Sequence, residues 1–458
     1  MVRGKLPIAA ETLYTQRGYL RLQRFGGDFI AGDAMQLDRS LSRASRRLTV
    51  TLFAGQGLAL VALFTTVSIS SIAGVQLAGT ERVAGWPSTA TLIGGSLAAY
   101  PIGRLMGRFG RRIGLSIGYI IGILGGTLAG VAMLLQSFPL FLAAMMLLGA
   151  TRASSDQTRY AAADVSPAHL RARAVSLVVS AGTIGAVLGP AITPIAGNFS
   201  EALGADKLVG PWFVTAALFV VTLLFVSIFL RPDPREIALE IARHEQAAPA
   251  QTDRFSAPDG PARSFGQILR TDPAVRVALV SLALAQVVMV MVMNITPVHM
   301  THFAHGLDDI SLVISAHILG MYALSMMTGW LSDRWGRRLT IGLGALMLIG
   351  SCVLAPTNPQ TIPLAASLFL LGLGWNFCFV AGSSLLTDRL RVSERARIQG
   401  ATDVVVSVAS AIGSLSSGEL MASVGYQSSA TLGIGLAIII VAASLATWPR
   451  RSEYLATS

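Results

Sequence analysis

Two pairs of side chains in the second half of the sequence could hold a soft metal ion or grip a polarizable solute. Met289 and Met293 lie four residues apart, as do His317 and Met321, and that spacing puts each pair on one helical face. Thioethers and an imidazole form a neutral, soft ligand set that suits Cu(I) and suits magnesium or calcium poorly. Seven of the 15 methionines fall between positions 289 and 327. Methionine also fills irregular gaps between helices, and a histidine among apolar residues also serves as a hydrogen-bonded core group. Packing within a carrier of organic solutes is therefore the competing reading.

A second set carries charge. Arg152, Asp156 and Arg159 follow one another at four and three residues, so they share one helical face. Asp156 could exchange a proton with Arg152 as its charge partner, or the two could be a fixed pair holding helices in register. Asp403 is a further titratable candidate, while Glu419 reads as a solvated helix end. His299, His302 and His305, with Asp308 and Asp309 behind them, sit near a loop, where metal capture competes with a plain polar surface. Cys352 and Cys378 lie in apolar runs and form neither a disulfide framework nor a thiolate metal motif.

Apolar segments must position these groups. The chain has 458 residues, 53% hydrophobic and 13% charged, which is the composition of a membrane protein. Stretches long enough to cross about 30 Å of hydrocarbon are expected near Leu48 to Ala73, Trp86 to Met106, Ile113 to Leu135, Pro139 to Asp164, Ala174 to Gly197 and Pro211 to Leu230. Six more are expected near Ala274 to Val298, Ile310 to Ser332, Leu339 to Ala355, Ile362 to Asp388, Arg397 to Met421 and Gly425 to Trp448. The fold class is therefore all-α integral membrane, with 12 transmembrane helices in two six-helix bundles. The division is a tail over 1–47, bundles over 48–230 and 273–448, a linker over 231–272 with an amphipathic stretch from Arg235 to Gln246, and a tail over 449–458.

The net charge of +11 is spread between apolar runs, which speaks against nucleic-acid binding. Basic residues accumulate in alternate loops: Arg108, Arg111 and Arg112; Arg171 and Arg173; Arg334, Arg337 and Arg338; Arg389, Arg391 and Arg395. By the positive-inside rule that side, with both termini, is cytoplasmic. No early apolar run is long enough for a signal peptide, and translation could start at Met1 or at Met35. A Gly-x-x-x-x-Gly-Lys phosphate loop and a nucleophile triad are both missing from the pattern, so an enzyme or ATP-driven pump is not expected. No cofactor is expected, the partners being the bilayer and a small solute or metal ion.

The halves repeat. The run from Gly103 through Leu105, Gly107 and Arg108 to Gly110, Arg111 and Arg112 aligns with that from Gly329 through Leu331, Asp333 and Arg334 to Gly336, Arg337 and Arg338. Asp164 with Arg171 and Arg173 likewise aligns with Asp388, Arg395 and Arg397. These loops resemble the signature of the major facilitator superfamily of secondary transporters, over nearly the whole chain. The resemblance implies a midplane cavity, alternating access and a gating role for Gly103, Arg108, Arg111, Arg112, Asp333, Arg334, Arg337 and Arg338. One departure stands out: the first copy has Gly107 where the second has Asp333. It is expected to lack the carboxylate contact such a loop implies, leaving closure to the second copy. Arg152 sits where the superfamily's fourth-helix arginine falls, although Ser155 and Asp156 replace the usual glutamine and glycine. Gly182, Gly185, Gly189 and Pro190 partly match the superfamily's antiporter pattern or serve close helix packing, and the first helix has Gln56 as its main polar group.

Met289 with Met293, and His317 with Met321, resemble the paired motifs of CcoA-type copper importers, a bacterial branch of the superfamily. That resemblance implies Cu(I) import through those four residues. Separately, the charges inside spans make Arg152, Asp156 and Asp403 the expected proton or charge relay, the membrane is expected to be a bacterial inner membrane, and one chain can contain the whole pathway, so a monomer suffices. The alternative is a proton-coupled transporter of small organic molecules such as drugs or a vitamin.

Overall fold

The computed structural model describes residues 27–166, 171–247, 263–390 and 392–446. Residues 1–26, most of the linker's second part, Arg391 and the 449–458 tail lie outside the described residues. Every regular element among the described residues is helical. The first half comprises α1 (Gly27–Val67), α2 (Ser70–Ala78), α3 (Trp86–Phe109), α4 (Arg111–Leu134), α5 (Phe138–Asp156), α6 (Thr158–Asp164), α7 (Arg171–Ser180), α8 (Gly182–Ala202) and α9 (Gly210–Phe229). The linker holds α10 (Pro234–Ala247) and α11 (Phe265–Thr271). The second half comprises α12 (Pro273–His302), α13 (Leu307–Tyr322), α14 (Ser325–Trp335), α15 (Arg337–Leu354), α16 (Thr361–Asp388), α17 (Val392–Val424) and α18 (Tyr426–Ala446).

Ten spans among the described residues are long and apolar enough to cross a membrane, and α13 with α14, bent by 40° at their junction, make an eleventh. The remaining expected span is α3. It is helical over 24 residues, but it carries Arg104 and Arg108 and turns Ser88, Thr91 and Ser96 toward a cavity, which lowers its apolarity. Four expected spans are broken rather than continuous: α1/α2, α5/α6, α7/α8 and α13/α14. Broken helices are tolerated at membrane depth where other groups re-satisfy the freed backbone.

Each half has its own apolar core. In the first, Phe141 meets Trp212 edge-on at 5.1 Å and Tyr119 stacks on Phe219 at 6.3 Å. The second is built on Val288, Ile314, Leu348, Leu368 and Leu371, all fully buried. Gly185 and Gly189 of α8 press against Leu60 and Phe64 of α1, so these two glycines of the possible antiporter pattern serve close packing here.

The repeated loops form matching turns, with Gly110 at φ +100° and Gly336 at φ +91°, a region that glycine enters at little cost. Arg111 binds Asp164 through Nε at 3.0 Å and Nη2 at 2.7 Å, and Arg337 binds Asp388 through Nε at 3.2 Å. Arg337 also pairs with Asp333. The expectation that the first copy lacks a helix-terminus carboxylate is corrected by the linker. Asp233 accepts from the backbone N–H of Arg111 and of Arg112, each at 3.0 Å, where the helix dipole favours a negative group. A side chain at Gly110 would sit 2.4 Å from Asp233 Oδ2, so the glycine is needed for space as well as for its backbone angle. At the linker's other end Arg263 binds Glu394 at 2.8 Å, and that carboxylate holds the guanidinium above its ordinary pKa. Ser264 and Gln267 form a capping box at the start of α11.

Candidate functional site: a cavity between the halves

A cavity of about 500 Å³ lies between the two halves, lined from both. The first half contributes Phe64, Ser88, Arg152, Asp156, Gln157 and Arg159; the second contributes Gln286, Met289, Met293, Asn294, Met321, Tyr322 and Asp403.

Arg152 and Asp156 come from the last turn and a half of α5, and Arg159 from α6 just past the break at Gln157. Among the described residues no ion pair joins Arg152 to Asp156, and both side chains are exposed to the cavity. The fixed-pair reading of these two is therefore not what the structure holds. Their charges act on Tyr322 across the cavity, and that of Arg159 acts on Asp403. Ser155, next to Asp156, turns away and donates to Gln56 Oε1 at 2.9 Å. That bond accounts for the polar group of the first span.

Met289, Met293 and Met321 line the cavity, but His317 does not. His317 is fully buried, and its Nδ1–H donates to the carbonyl of Leu368 at 3.0 Å. Its backbone lies against Gly372 of α16. Both residues lie in α13, yet they meet different neighbours: His317 is packed against α16, while Met321 lines the cavity. The imidazole of the expected copper set is therefore packed into the second bundle and does not line the cavity that the thioethers line. The outer histidines separate too: His299 stacks on Tyr426 at 4.1 Å, His302 pairs with Glu81 at 2.6 Å, and His305 faces Asp309 and the carbonyl of Pro359. No group of three or more metal-binding His, Cys, Asp or Glu side chains exists among the described residues.

The two halves are joined at the end away from the linker. Ser414 donates to the carbonyl of Gly85 at 2.6 Å, Asn294 Nδ2 donates to Ser414 at 2.9 Å, and Ser88 donates to Asn294 Oδ1 at 3.1 Å. His302 with Glu81 and Arg82 with Glu419 lie at the same end. Of the expected gating residues, Gly103 faces open space, Arg108 and Arg334 lie over the rings of Phe109 and Trp330, and Arg338 feels the charges of Arg389 and Asp272. Side chains of Arg171, Arg173 and Arg395 lie outside the described residues.

Sequence reasoning missed Gln286, Asn294, Trp375 and Asn376. The signal was present: an amide inside an apolar span needs a partner or a cavity just as a charge does.

This arrangement of two helical halves around a shared cavity is matched by relatives. A model of the Major Facilitator Superfamily matches residues 51–308 and 278–457. The chain belongs to this superfamily. It is 34% identical to the MFS-type transporter YddS of Bacillus subtilis over 85% of this chain and 87% of that one. It is 26% identical to the riboflavin transporter RfnT of Brucella anthropi over 84% of this chain and 91% of that one. The crystal structure of an inward-facing bacterial homolog of the human lysosomal transporter Spinster superposes with TM-score 0.66 at 14% identity, covering 88% of this chain and 96% of that chain. These findings support a multi-pass MFS transporter; neither they nor the position of His317 supports assignment to the copper-importing branch.

Proposed function

We propose that the chain moves a small organic solute across the membrane by alternating access, coupled to protons through Asp156 and Asp403. The observation that carries this reading is the cavity: about 500 Å³, lined by apolar, amide and unpaired charged groups from both halves. That volume lies within the range of small-molecule sites and far exceeds what a bare metal ion needs. Arg152 and Arg159 stand near the two carboxylates, so a proton arriving or leaving changes the balance of charge around the solute. The methionines Met289, Met293 and Met321 then act as a soft, adaptable apolar wall, and the riboflavin-carrying relative gives a first solute to try.

On this reading both termini and the linker are cytoplasmic, in a bacterial inner membrane, and the one-sided basic loops support that orientation. Bundles over 48–230 and 273–448 rock about the cavity, and the repeated loops, with Asp333 and the linker's Asp233, close the cytoplasmic end. One chain contains the whole pathway, so a monomer suffices.

The test is reconstitution into proteoliposomes with an imposed pH gradient, following riboflavin and ethidium. Gradient-driven accumulation of at least one is expected, lost in Asp156→Asn or Asp403→Asn while solute exchange persists. Failure of the wild type to move either compound would overturn this choice of solutes, and an unchanged gradient response in both variants would overturn the coupling.

A further inference from the structure

The second-half wall of the cavity depends on two adjacent residues that do not line it. Trp375 of α16 donates its indole N–H to Gln286 Oε1 at 2.8 Å. An indole nitrogen only donates, so the amide atom facing it is the oxygen, and the Gln286 nitrogen must point the other way. One of its N–H groups goes to Ser410, at 3.2 Å. The other makes no hydrogen bond among the described residues, and Gln286 lines the cavity. Trp375 is itself held, buried and stacked on Phe379 with ring centroids 4.8 Å apart.

Asn376 acts on the neighbouring helix. Its Nδ2 donates to the carbonyl of Met321 at 2.7 Å and to Ser325 Oγ at 2.8 Å, while its Oδ1 accepts from Thr328 at 2.7 Å. These three bonds straddle the junction at which α13 gives way to α14. Met321 lies on one side of that junction, and its carbonyl accepts from Asn376 Nδ2 at 2.7 Å and from Ser325 Oγ at 3.4 Å, side chains standing in for the helical ladder. Met321 and Tyr322, the last residues before the bend, both line the cavity.

We infer that Trp375 and Asn376 are positioning residues for the second-half wall: Trp375 turns a Gln286 amide N–H toward an acceptor oxygen of the solute, and Asn376 fixes the bend that presents Met321 and Tyr322. The inference rests on the organic-solute reading and deepens it. It assigns a solute with a carbonyl-type oxygen, directed at α12.

The experiment compares Trp375→Phe, Gln286→Leu and the double variant in proteoliposomes, with riboflavin, which has ring carbonyls, and ethidium, which has none. Loss of the oriented N–H is expected to raise KM for riboflavin about threefold to tenfold, with the maximal rate retained and ethidium unaffected. The double variant is expected to be no worse than either single one, since both remove the same contact. Equal effects on the two solutes, or additive effects, would overturn the assignment. For Asn376, maleimide labelling of Met321→Cys is compared with Met289→Cys, the native Cys352 and Cys378 being buried. Asn376→Leu is expected to slow labelling at 321 and not at 289; unchanged labelling at 321 overturns this part, whatever the solute. If the wild type carries neither compound, this choice of solutes is overturned and the acceptor-oxygen assignment falls with it, while the labelling result still decides the role of Asn376.

Discussion

Among the described glycines, Gly85 leaves the least room for an added side chain, and a single methyl group there is expected to open the far end. An added Cβ would lie 1.6 Å from the carbonyl oxygen of Ser414 and 3.0 Å from Ser417 Oγ. The first of these is about 1.8 Å short of an ordinary contact, and the obstructing atom is backbone, which cannot rotate aside. The helices must part by roughly that amount. The two hydrogen bonds that cross between the halves, Ser414 to Gly85 at 2.6 Å and Ser88 to Asn294 at 3.1 Å, would then exceed bonding distance.

At about 1 kcal/mol net for each bond, Gly85→Ala removes about 2 kcal/mol from the closed far end, a shift of roughly thirtyfold in the equilibrium. The assay is pulsed electron spin resonance between nitroxides on Gln136→Cys and Ser423→Cys, exposed far-side positions of the two halves. The wild type is expected to show mainly the shorter separation, and Gly85→Ala mainly a longer one. Gly103→Ala, where an added Cβ meets nothing within 4 Å, is the control and is expected to match the wild type. A folded, monodisperse Gly85→Ala protein with an unchanged distribution would refute the reasoning.

Asp233→Ala leaves the first backbone N–H groups of α4 without their carboxylate. It is expected to cost about 1 kcal/mol, read as a lower melting temperature and faster amide exchange at Arg111 and Arg112. His317→Ala removes a fully buried ring and its bond to Leu368, an expected loss of about 2 kcal/mol or more, read by thermal denaturation. Solute uptake per folded molecule is expected to persist, and copper accumulation to match that of empty cells; a His317-dependent rise in cell copper would reinstate the metal site. Arg111→Ala, which leaves Asp164 without its two-point partner, is expected to slow transport more than it lowers stability, since such partly exposed pairs contribute only about 0–1 kcal/mol; the comparison of initial rate with melting temperature checks this.

The helical class and the repeat were legible because they depend on patterns that survive in one dimension: apolar runs of span length, and paired loops such as Gly110-Arg111-Arg112 and Gly336-Arg337-Arg338. Arg152 and Asp156 stood out for a similar reason, a charge inside an apolar run being costly wherever it faces. The metal set misled because it assumed that residues on one stripe of the eighth helix face the same surroundings. Met321 lines the cavity, while His317, four residues earlier in the same helix, bonds Leu368, 51 residues beyond it. The missing acid at Gly107 misled likewise, since Asp233, more than 120 residues from the helix start it caps, supplies the charge. In both cases a long-range polar contact settled a local question that spacing alone left open.

The charges in the cavity set a physical condition on any transport cycle. Arg152 and Asp156 have no ion-pair partner in each other, and Asp403 meets Arg159 only through the field. Four such groups at membrane depth are costly unless hydrated, so the cavity in this form must hold water. Closing it around a solute expels part of that water and strengthens every remaining electrostatic interaction. The carboxylates then have two low-energy choices: to approach an arginine, or to take up a proton. On the proposed reading the solute decides between them by the space it fills between the charged first-half wall and the amide and thioether second-half wall. Coupling and recognition would thus be divided between the two halves of a duplicated fold, with the cost of burying charge as the link.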